Sequence, residues 1–406
     1  MERRDFVKKG SMAALALTAS SSVMANLSNI QKANNTINLG VIGTGSRGGG
    51  LIPFINDIEG LNVTACCDIL PFRLEDGLKR AGSNAKGYDD YRRVLDNKDI
   101  DAVLVAVPFS RHEFIEKDAL QAGKHVYGEK TLAKGYGAIK DLINVKHQHQ
   151  DLIFQTGHQY HSSRLYTSVV KMIKEGKIGK ITAFECQWNR NGDWRRNVPS
   201  PDLERLINWR LYKEFSGGLT AELCSHQIDF VNWVLEETPQ EVVGIGGINY
   251  WKDGRETYDN IHLIYNYPSG VKATFMCLTS NAMNDYQIKV MGDKGTIILD
   301  YTKAWFYPEG NYKKERGEVD GVSGATVQWE EGKGIPINIS HPDPSKQALM
   351  DFRDSIYNHQ SPLSNMLTGA KTAIAVQMAL DAMYTNTVAK WKPEYDEWLN
   401  QKITHS

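Results

Sequence analysis

Cysteine is scarce in this sequence: five residues, at positions 66, 67, 186, 224 and 277, stand in no CxxC pair and at no zinc-ligand spacing. That excludes a disulfide framework and gives no support to a structural metal, so the five read as small buried hydrophobes. An odd count also suits a compartment where oxidation is possible but stability does not rest on it. Excess charge is missing as well. With 47 basic against 48 acidic residues interleaved along 406, there is no electrostatic footprint for nucleic acid or an anionic membrane, and both are set aside as partners. Past the N-terminus no segment approaches the roughly 20 apolar residues that span a bilayer. There is no low-complexity tract and no internal repeat. What remains is an ordinary globular composition, 41% hydrophobic, in a chain long enough for two substantial cores.

The first residues differ from the rest. Arg3-Arg4-Asp5-Phe6-Val7-Lys8-Lys9, the apolar run Met12 to Thr18 and the small-residue site Val23-Met24-Ala25 follow the order of a secretory signal. An arginine pair followed by Phe and Lys is the twin-arginine version, which exports proteins already folded. Residues 1–25 are therefore read as a twin-arginine-type signal and 26–36 as a linker. The mature protein is expected in the periplasm or otherwise exported, with no membrane attachment once the signal is gone. A basic tail or an uncleaved anchor is the competing reading. No cysteine follows the apolar run, so lipoprotein anchoring is not indicated.

From Ile37 the chain turns to apolar strands that alternate with helical segments. Ile37-Asn38-Leu39-Gly40-Val41-Ile42 runs into Gly43-Thr44-Gly45-Ser46-Arg47-Gly48, a GxGxxG in strand-turn-helix context. There the first glycine permits the turn, the second lets backbone approach a pyrophosphate, and the third allows close helix packing. The helix amides then face the phosphates. A second strand, Leu61 to Cys67, ends in Asp68, 20 residues beyond Gly48, where a ribose-binding carboxylate belongs. Such a carboxylate accepts from a 2′-hydroxyl and repels a 2′-phosphate, so NAD is expected rather than NADP, unless Arg47 or Arg73 blunts the preference. A third strand, 102–107, ends at Pro108 and leads to His112, and a fourth, Lys124 to Tyr127, ends in Gly128-Glu129-Lys130. This alternation predicts a doubly wound parallel sheet, a Rossmann domain over 37–155. Its cofactor wall is drawn from Gly43, Gly45, Ser46, Arg47, Gly48, Asp68, Pro108, His112, Glu129 and Lys130.

Residues 156–390 are assigned to a second, catalytic α/β domain and 391–406 to a C-terminal tail. Strands are predicted at Glu241–Tyr250, Asn260–Tyr267, Val271–Leu278, Gln287–Met291 and Thr296–Asp300, separated by turn signals. Two helical segments follow from Ser345, the second from about Asn365 to Thr387. Before the strands lies a stretch rich in aromatics and arginine. His158, Tyr160, Trp194, Arg195, Trp209 and Tyr212 are its candidate substrate contacts, because aromatic faces pack on sugar rings and arginines bind hydroxyls or acids. Ordinary loop packing accounts for any one of them equally well. His158 and His161 have no third ligand at a supporting spacing, so no metal is expected.

Taken together, the sequence resembles the glucose-fructose oxidoreductase and inositol dehydrogenase family, Gfo/Idh/MocA, from Ile37 to about Trp391. Gly43–Gly48, Glu129-Lys130, the segment Gly217 to Asp229 and Gly292-Asp293-Lys294-Gly295-Thr296 carry the resemblance. It implies a Rossmann domain followed by an α/β domain with an open, mainly antiparallel sheet whose outer face makes oligomer contacts, so a homo-oligomer, dimer or tetramer, is expected. It also implies Lys130 and His226 as the catalytic pair. His226 then serves as base, because imidazole titrates near neutrality, and Lys130 as the cation that holds the hydroxyl. Two departures stand out: Thr131 replaces the family's proline, and Glu222 replaces its aspartate four residues before the histidine. Glu222 and His226, four apart on a predicted helix, share one face and could both point at the substrate, so Glu222 is counted as a third catalytic candidate. Alone, a histidine in such a stretch is ordinarily a bonded core residue and a strand-end lysine a solvated one.

The expected function is an exported NAD-dependent oxidoreductase acting on a secondary hydroxyl of a sugar or sugar derivative. Outside the cytoplasm there is no free nicotinamide pool, so the cofactor is expected to travel and stay bound. The alternative is an NAD-dependent glycoside hydrolase, in which transient ring oxidation acidifies a C–H and the glycosidic bond leaves by elimination. A non-catalytic dinucleotide- or sugar-binding protein ranks last, since both Lys130 and His226 are kept.

Overall fold

The computed structural model describes residues 36–309, 334–340 and 342–400. The signal segment and nearly all of the linker lie outside the described residues. Among the described residues, no helix is long and apolar enough to cross a membrane.

In the first domain the chain runs β1 (Ile37–Ile42), α1 (Ser46–Asn56), β2 (Leu61–Cys67), α2 (Pro71–Ala81), β3 (Lys86–Tyr88) and α3 (Tyr91–Leu95). It continues through β4 (Ala102–Val105), α4 (His112–Gln121), β5 (His125–Gly128), α5 (Tyr136–Gln148) and β6 (Phe154–Thr156). The six strands form one parallel sheet in the order β3-β2-β1-β4-β5-β6. β4 is buried at all four of its positions, as a parallel strand covered by helices on both faces requires. The order reverses between β1 and β4, and in such sheets the ligand lies beyond the carboxyl ends at that switch point. β4 stops at Val105, two residues short of its expected end, because Ala106 and Val107 leave the sheet to shape that crevice.

The second domain opens with α6 (Arg164–Lys174), β7 (Ile181–Trp188) and α7 (Glu204–Ile207), then a π-helical turn at Thr220–Cys224 that leads into α8 (Ser225–Leu235). β8 (Glu241–Gly247), β9 (Asn260–Asn266), β10 (Lys272–Leu278), β11 (Tyr286–Gly292), β12 (Gly295–Leu299), β13 (Ala304–Pro308) and β14 (Ile335–Pro336) follow. These strands and the late β15 (Ala389–Lys390) form a second sheet, β14-β13-β12-β11-β7-β10-β9-β8-β15. Its described pairs are antiparallel except β7 with β10. β7, which the sequence reading leaves out, is its central strand. One face is buried and the other open, so β9 alternates buried Ile261, Leu263 and Tyr265 with exposed His262 and Ile264.

The chain then returns. α9 (Pro344–Asn358) places Ala348, Leu349, Phe352 and Ile356 in one apolar cluster with Leu39, Val41, Leu51 and Tyr127 of the first domain. Tyr127 and Phe352 meet edge to face, 5.7 Å between centroids. The dinucleotide domain is thus completed by residues nearly 200 positions after its last strand. α10 (Met366–Thr385) packs between α8, β8 and α5. Within the segment read as a tail, Pro393–Leu399 form a helix, α11, with Tyr395 and Trp398 buried and the Tyr395 ring stacked on Tyr136 at 5.0 Å. The apolar i, i+3 spacing of those two rings gives the segment a face to bury.

Phe352→Ala should therefore destabilise the first domain, by about 3–5 kcal/mol for a buried phenylalanine. Urea unfolding followed by the circular dichroism of the whole protein measures it. A loss below about 1 kcal/mol would mean that α9 only rests on the surface.

Candidate active site

The glycine-rich turn is built by steric necessity. Gly43 sits at φ +88°, and a Cβ there would lie 2.5 Å from the Ala106 carbonyl oxygen. A Cβ on Gly48 would come 1.9 Å from the carbonyl oxygen of Gly43, so α1 can pack this close only without one. Gly45 is different: its Cβ would meet only the Arg73 side chain, at 3.6 Å, so the backbone there opens onto free space. α1 begins at Ser46 with no side-chain cap and no acid in its first turn. Its amides and dipole are left for an anion.

Asp68, buried at the end of β2, accepts from the backbone N–H groups of Thr44 and Leu70, both at 2.9 Å. Burial raises its pKa, against the pull of those bonds and of Arg73. Arg47 Nε donates to Glu129 Oε1 at 2.6 Å and its Nη1 to Ser345 Oγ at 3.1 Å, which ties the turn to the end of β5 and to α9. Burial works against the Arg47 charge, yet Glu129, Tyr127 and Asp343 together outweigh it and hold the guanidinium above its ordinary pKa. Arg47 Nη2 is buried without a partner. A helix N-terminus, a turn that tolerates close approach, a ribose-side carboxylate and an unpartnered guanidinium nitrogen fit a dinucleotide.

The reactive end lies where the two domains meet. Lys130 follows β5, and its Nζ donates to the Glu222 carbonyl at 2.6 Å; Thr131 Oγ1 donates to the Ala221 carbonyl at 3.0 Å. Both acceptors belong to the π turn at Thr220–Cys224. Burial lowers the Lys130 pKa, opposed by Glu222 and Glu129. Glu222 and His226 line one cleft of about 710 Å³ together with Lys130, Asp68 and the glycine turn. The shared face expected of Glu222 and His226 therefore survives, although Glu222 stands in the π turn and His226 in α8.

His226 is buried, and its Nδ1 has no partner, which leaves Nε2 as the nitrogen presented to the cleft. Burial first, then the Lys130 charge and His158, push its pKa well below the ordinary value, so the ring is a neutral base at neutral pH. Tyr160, His158 and Trp188 surround it at 5.4, 5.6 and 5.7 Å between centroids. Behind them, Asp229 lies 2.8 Å from His161 and 3.6 Å from His158 and accepts from Thr372. Burial pushes the Asp229 pKa up, but the two histidines outweigh it and keep the carboxyl below its usual range. Burial lowers His158 to about 4.

Gly43, Gly45, Ser46, Arg47, Asp68, Pro108, His112, Glu129 and Lys130 all line the cleft, while Gly48 underpins the turn. His112 reaches the carbonyls of Thr131 and Val107, at 2.9 and 3.0 Å, and so joins the ends of β4 and β5. Glu222 accepts from Arg210 Nε at 3.0 Å and from Ser216 Oγ at 3.3 Å; it orients Arg210 rather than standing free as a base. Of the substrate candidates, Trp209 alone lines the cleft, with the Arg210 guanidinium 4.2 Å over its ring.

The other five do not line it and have other partners. His158 and Tyr160 form the layer beneath His226. Tyr212 donates to Glu204, Arg195 pairs with Glu204 and Asp253, and Trp194 packs against the core under Arg190. Gln159, Arg196 and Arg210 line the cleft unpredicted, and Arg73, weighed from the sequence only for its effect at the ribose, lines it as well. The arginines had a signal, a basic run in a neutral chain, but their convergence depends on the domain contact. Among the described residues, no group of three or more His, Cys, Asp or Glu side chains is arranged to hold a metal ion.

The fold and this cleft define a nicotinamide-dependent oxidoreductase, and the comparisons place it. Residues 37–158 match the model of the oxidoreductase family with an NAD-binding Rossmann fold, and residues 166–298 that of the GFO/IDH/MocA C-terminal domain. The chain belongs to the Gfo/Idh/MocA family. It is similar to the 2,7-anhydro-N-acetylneuraminate hydratase of Escherichia coli K12, 29% identical over 65% of this chain and 68% of the relative. It is also similar to the inositol 2-dehydrogenase of Salmonella paratyphi B, 26% identical over 50% and 55%. A glycosyl hydrolase family 109 protein of Solibacter usitatus is 29% identical over 48% and 50%. The matched stretches thus span about half to two thirds of these relatives. Levoglucosan dehydrogenase, solved with NADH and L-sorbose, shares the fold at a TM-score of 0.70 and 18% identity, over 87% of this chain and 98% of that one.

Gly48→Ala should weaken dinucleotide binding at least about tenfold, because the added methyl meets backbone and the turn must open. Gly50→Ala, whose Cβ would meet nothing within 4 Å, should bind as the wild type does and gain up to about 1 kcal/mol in stability. Fluorescence titration with NADH compares the two. Equal binding by both variants would contradict the placement of the phosphates on this turn.

Proposed function

We propose that the protein oxidises or reduces a secondary hydroxyl of a sugar or sugar derivative by hydride transfer, outside the cytoplasm, with a tightly held NAD. One observation carries this reading: a half-buried lysine and a buried neutral histidine, one from each domain, line the same cleft as the glycine-rich turn. The nicotinamide, when bound, supplies hydride chemistry. The protein does the rest. Lys130 holds the hydroxyl oxygen and stabilises the negative charge that develops on it, His226 Nε2 takes its proton, and Arg210, set by Glu222, together with Trp209, binds the remainder of the ring. Asp68 favours a free ribose hydroxyl and so NAD over NADP. The twin-arginine pattern motivates export, and export of a folded protein motivates cofactor retention. The exposed Val243, Ile245 and Ile264 on the open face of β8 and β9 favour a homo-oligomer built on that sheet.

The second reading, an NAD-dependent glycoside hydrolase, is favoured by the names of the relatives. A hydratase and a glycosyl hydrolase effect no net oxidation, and either can use the same pair if hydride leaves and returns within one turnover. Retention of Lys130 favours oxidoreduction.

The protein as purified, incubated with sugars and glycosides without added cofactor, separates these. Absorbance at 340 nm or an oxidised sugar supports oxidoreduction. Release of aglycone without net NADH supports the hydrolase. Protein that is empty and reacts only with added NAD contradicts retention through export.

The pH profile tests the roles. His226 must be neutral to accept a proton, so kcat/KM should rise with pH along a limb below the ordinary histidine value of 6.5. Lys130 must be charged, so it should fall along a limb below 10.5. His226→Ala should abolish the acid limb and cost about 10²- to 10⁴-fold in rate. An acid limb that persists unchanged in that variant would exclude His226 as the base.

A further inference from the structure

Arg73, Arg196 and Arg210 line the same cleft as Gly45 and Ser46, and they come from both domains. Arg210 has Glu222, and Arg73 feels Asp68. Arg196 has neither: among the described residues no carboxylate pairs with it, and beyond burial the influences on it are the like charges of Arg210 and Arg73. Burial and those two charges together lower its pKa. Arg196 is exposed, so water screens part of this repulsion, but a guanidinium beside two others with no carboxylate partner still attracts an anion.

The backbone holds it there. The N–H of Arg196 donates to Asn208 Oδ1 at 2.7 Å, and the Arg196 carbonyl accepts from Asn208 Nδ2 at 2.9 Å. Asn208 is itself buried and donates to Glu204. From this two-point mount the side chain crosses the domain boundary, and its Nη1 donates to Ser46 Oγ, on the first residue of α1.

We propose that Arg196 is a clasp on the dinucleotide: with Arg73 it closes over the pyrophosphate lying on Gly43–Gly48, so the cofactor leaves only when the 189–212 segment lifts. The diphosphate carries the counter-charge that Arg196 lacks, and a guanidinium offers it paired donors. This rests on the dinucleotide reading of the cleft and supplies a physical cause for cofactor retention.

The test uses the whole protein and needs no substrate. Wild type, Arg196→Gln and Arg196→Lys are loaded with NADH and dialysed in high salt. NADH dissociation is followed by its fluorescence, and thermal melting of the cofactor-free forms checks the fold. Arg196→Gln should melt with the wild type yet release NADH about tenfold to a hundredfold faster, the range expected for one charged hydrogen-bonding group. Arg196→Lys should fall between, and affinity for ADP should drop while that for adenosine does not. Wild-type dissociation from Arg196→Gln, or an equal loss for adenosine and ADP, would overturn the clasp and leave the dinucleotide site standing. If the wild type binds neither NADH nor NADPH, the cofactor reading fails and the clasp with it.

Discussion

Two hydrogen bonds at the end of β5 hold the reaction centre together. The carbonyls of Ala221 and Glu222, both in the π turn at Thr220–Cys224, accept from Thr131 and Lys130 across the domain boundary. Ser225 Oγ closes on the same Ala221 carbonyl at 2.7 Å. The Ala221 carbonyl is thus doubly satisfied, and loss of either cross-domain donor would loosen the lysine's hold on the turn. Because the two bonds are made across the domain boundary, the lysine that ends the parallel sheet and the histidine that begins α8 are fixed relative to one another. The first domain can then set where a dinucleotide lies, and the second where a hydroxyl meets it.

The environment of that pair follows from its burial. The low dielectric that lowers Lys130 also lowers His226, and the Lys130 charge lowers His226 further while Glu222 and Glu129 support the lysine, so the lysine stays the cation and the imidazole the free base. The aromatic layer of Tyr160, Trp188 and Tyr286 and the Asp229 network behind it keep the ring in place without an acid bonded to Nδ1. The cleft joins arginines from both domains to the Lys130 and His226 pair, a lining suited to a ligand with a charged middle and a reactive end.

Much of this was legible in the sequence. GxGxxG followed by a strand and Asp68 locates the cofactor turn because steric rules leave few residues able to make it. Alternation and turn signals locate β8 to β12 to within a few residues. β7 was not read, although Phe184, Cys186 and Trp188 alternate with Glu185 and Gln187; the helix before it and the arginine-rich loop after it carry no strand signal. β3 and β6, three residues each, are too short for periodicity. The return of α9 onto the first sheet is a long-range contact with no local mark, and so is the meeting of Arg196 with Ser46. Sugar-pocket candidates chosen by residue type mostly became packing, since Tyr212, Trp194 and Arg195 satisfy one another and their neighbours. The family resemblance supplied Lys130 and His226, and the structure supplies their contact with the π turn.

The most direct measurement is a crystal structure with NADH and a polyol bound. The account predicts the pyrophosphate over Gly45, the nicotinamide C4 facing the substrate carbon, and that carbon's oxygen within hydrogen-bond distance of both Lys130 Nζ and His226 Nε2. A nicotinamide turned away from this pair, or a polyol that touches neither residue, would contradict it.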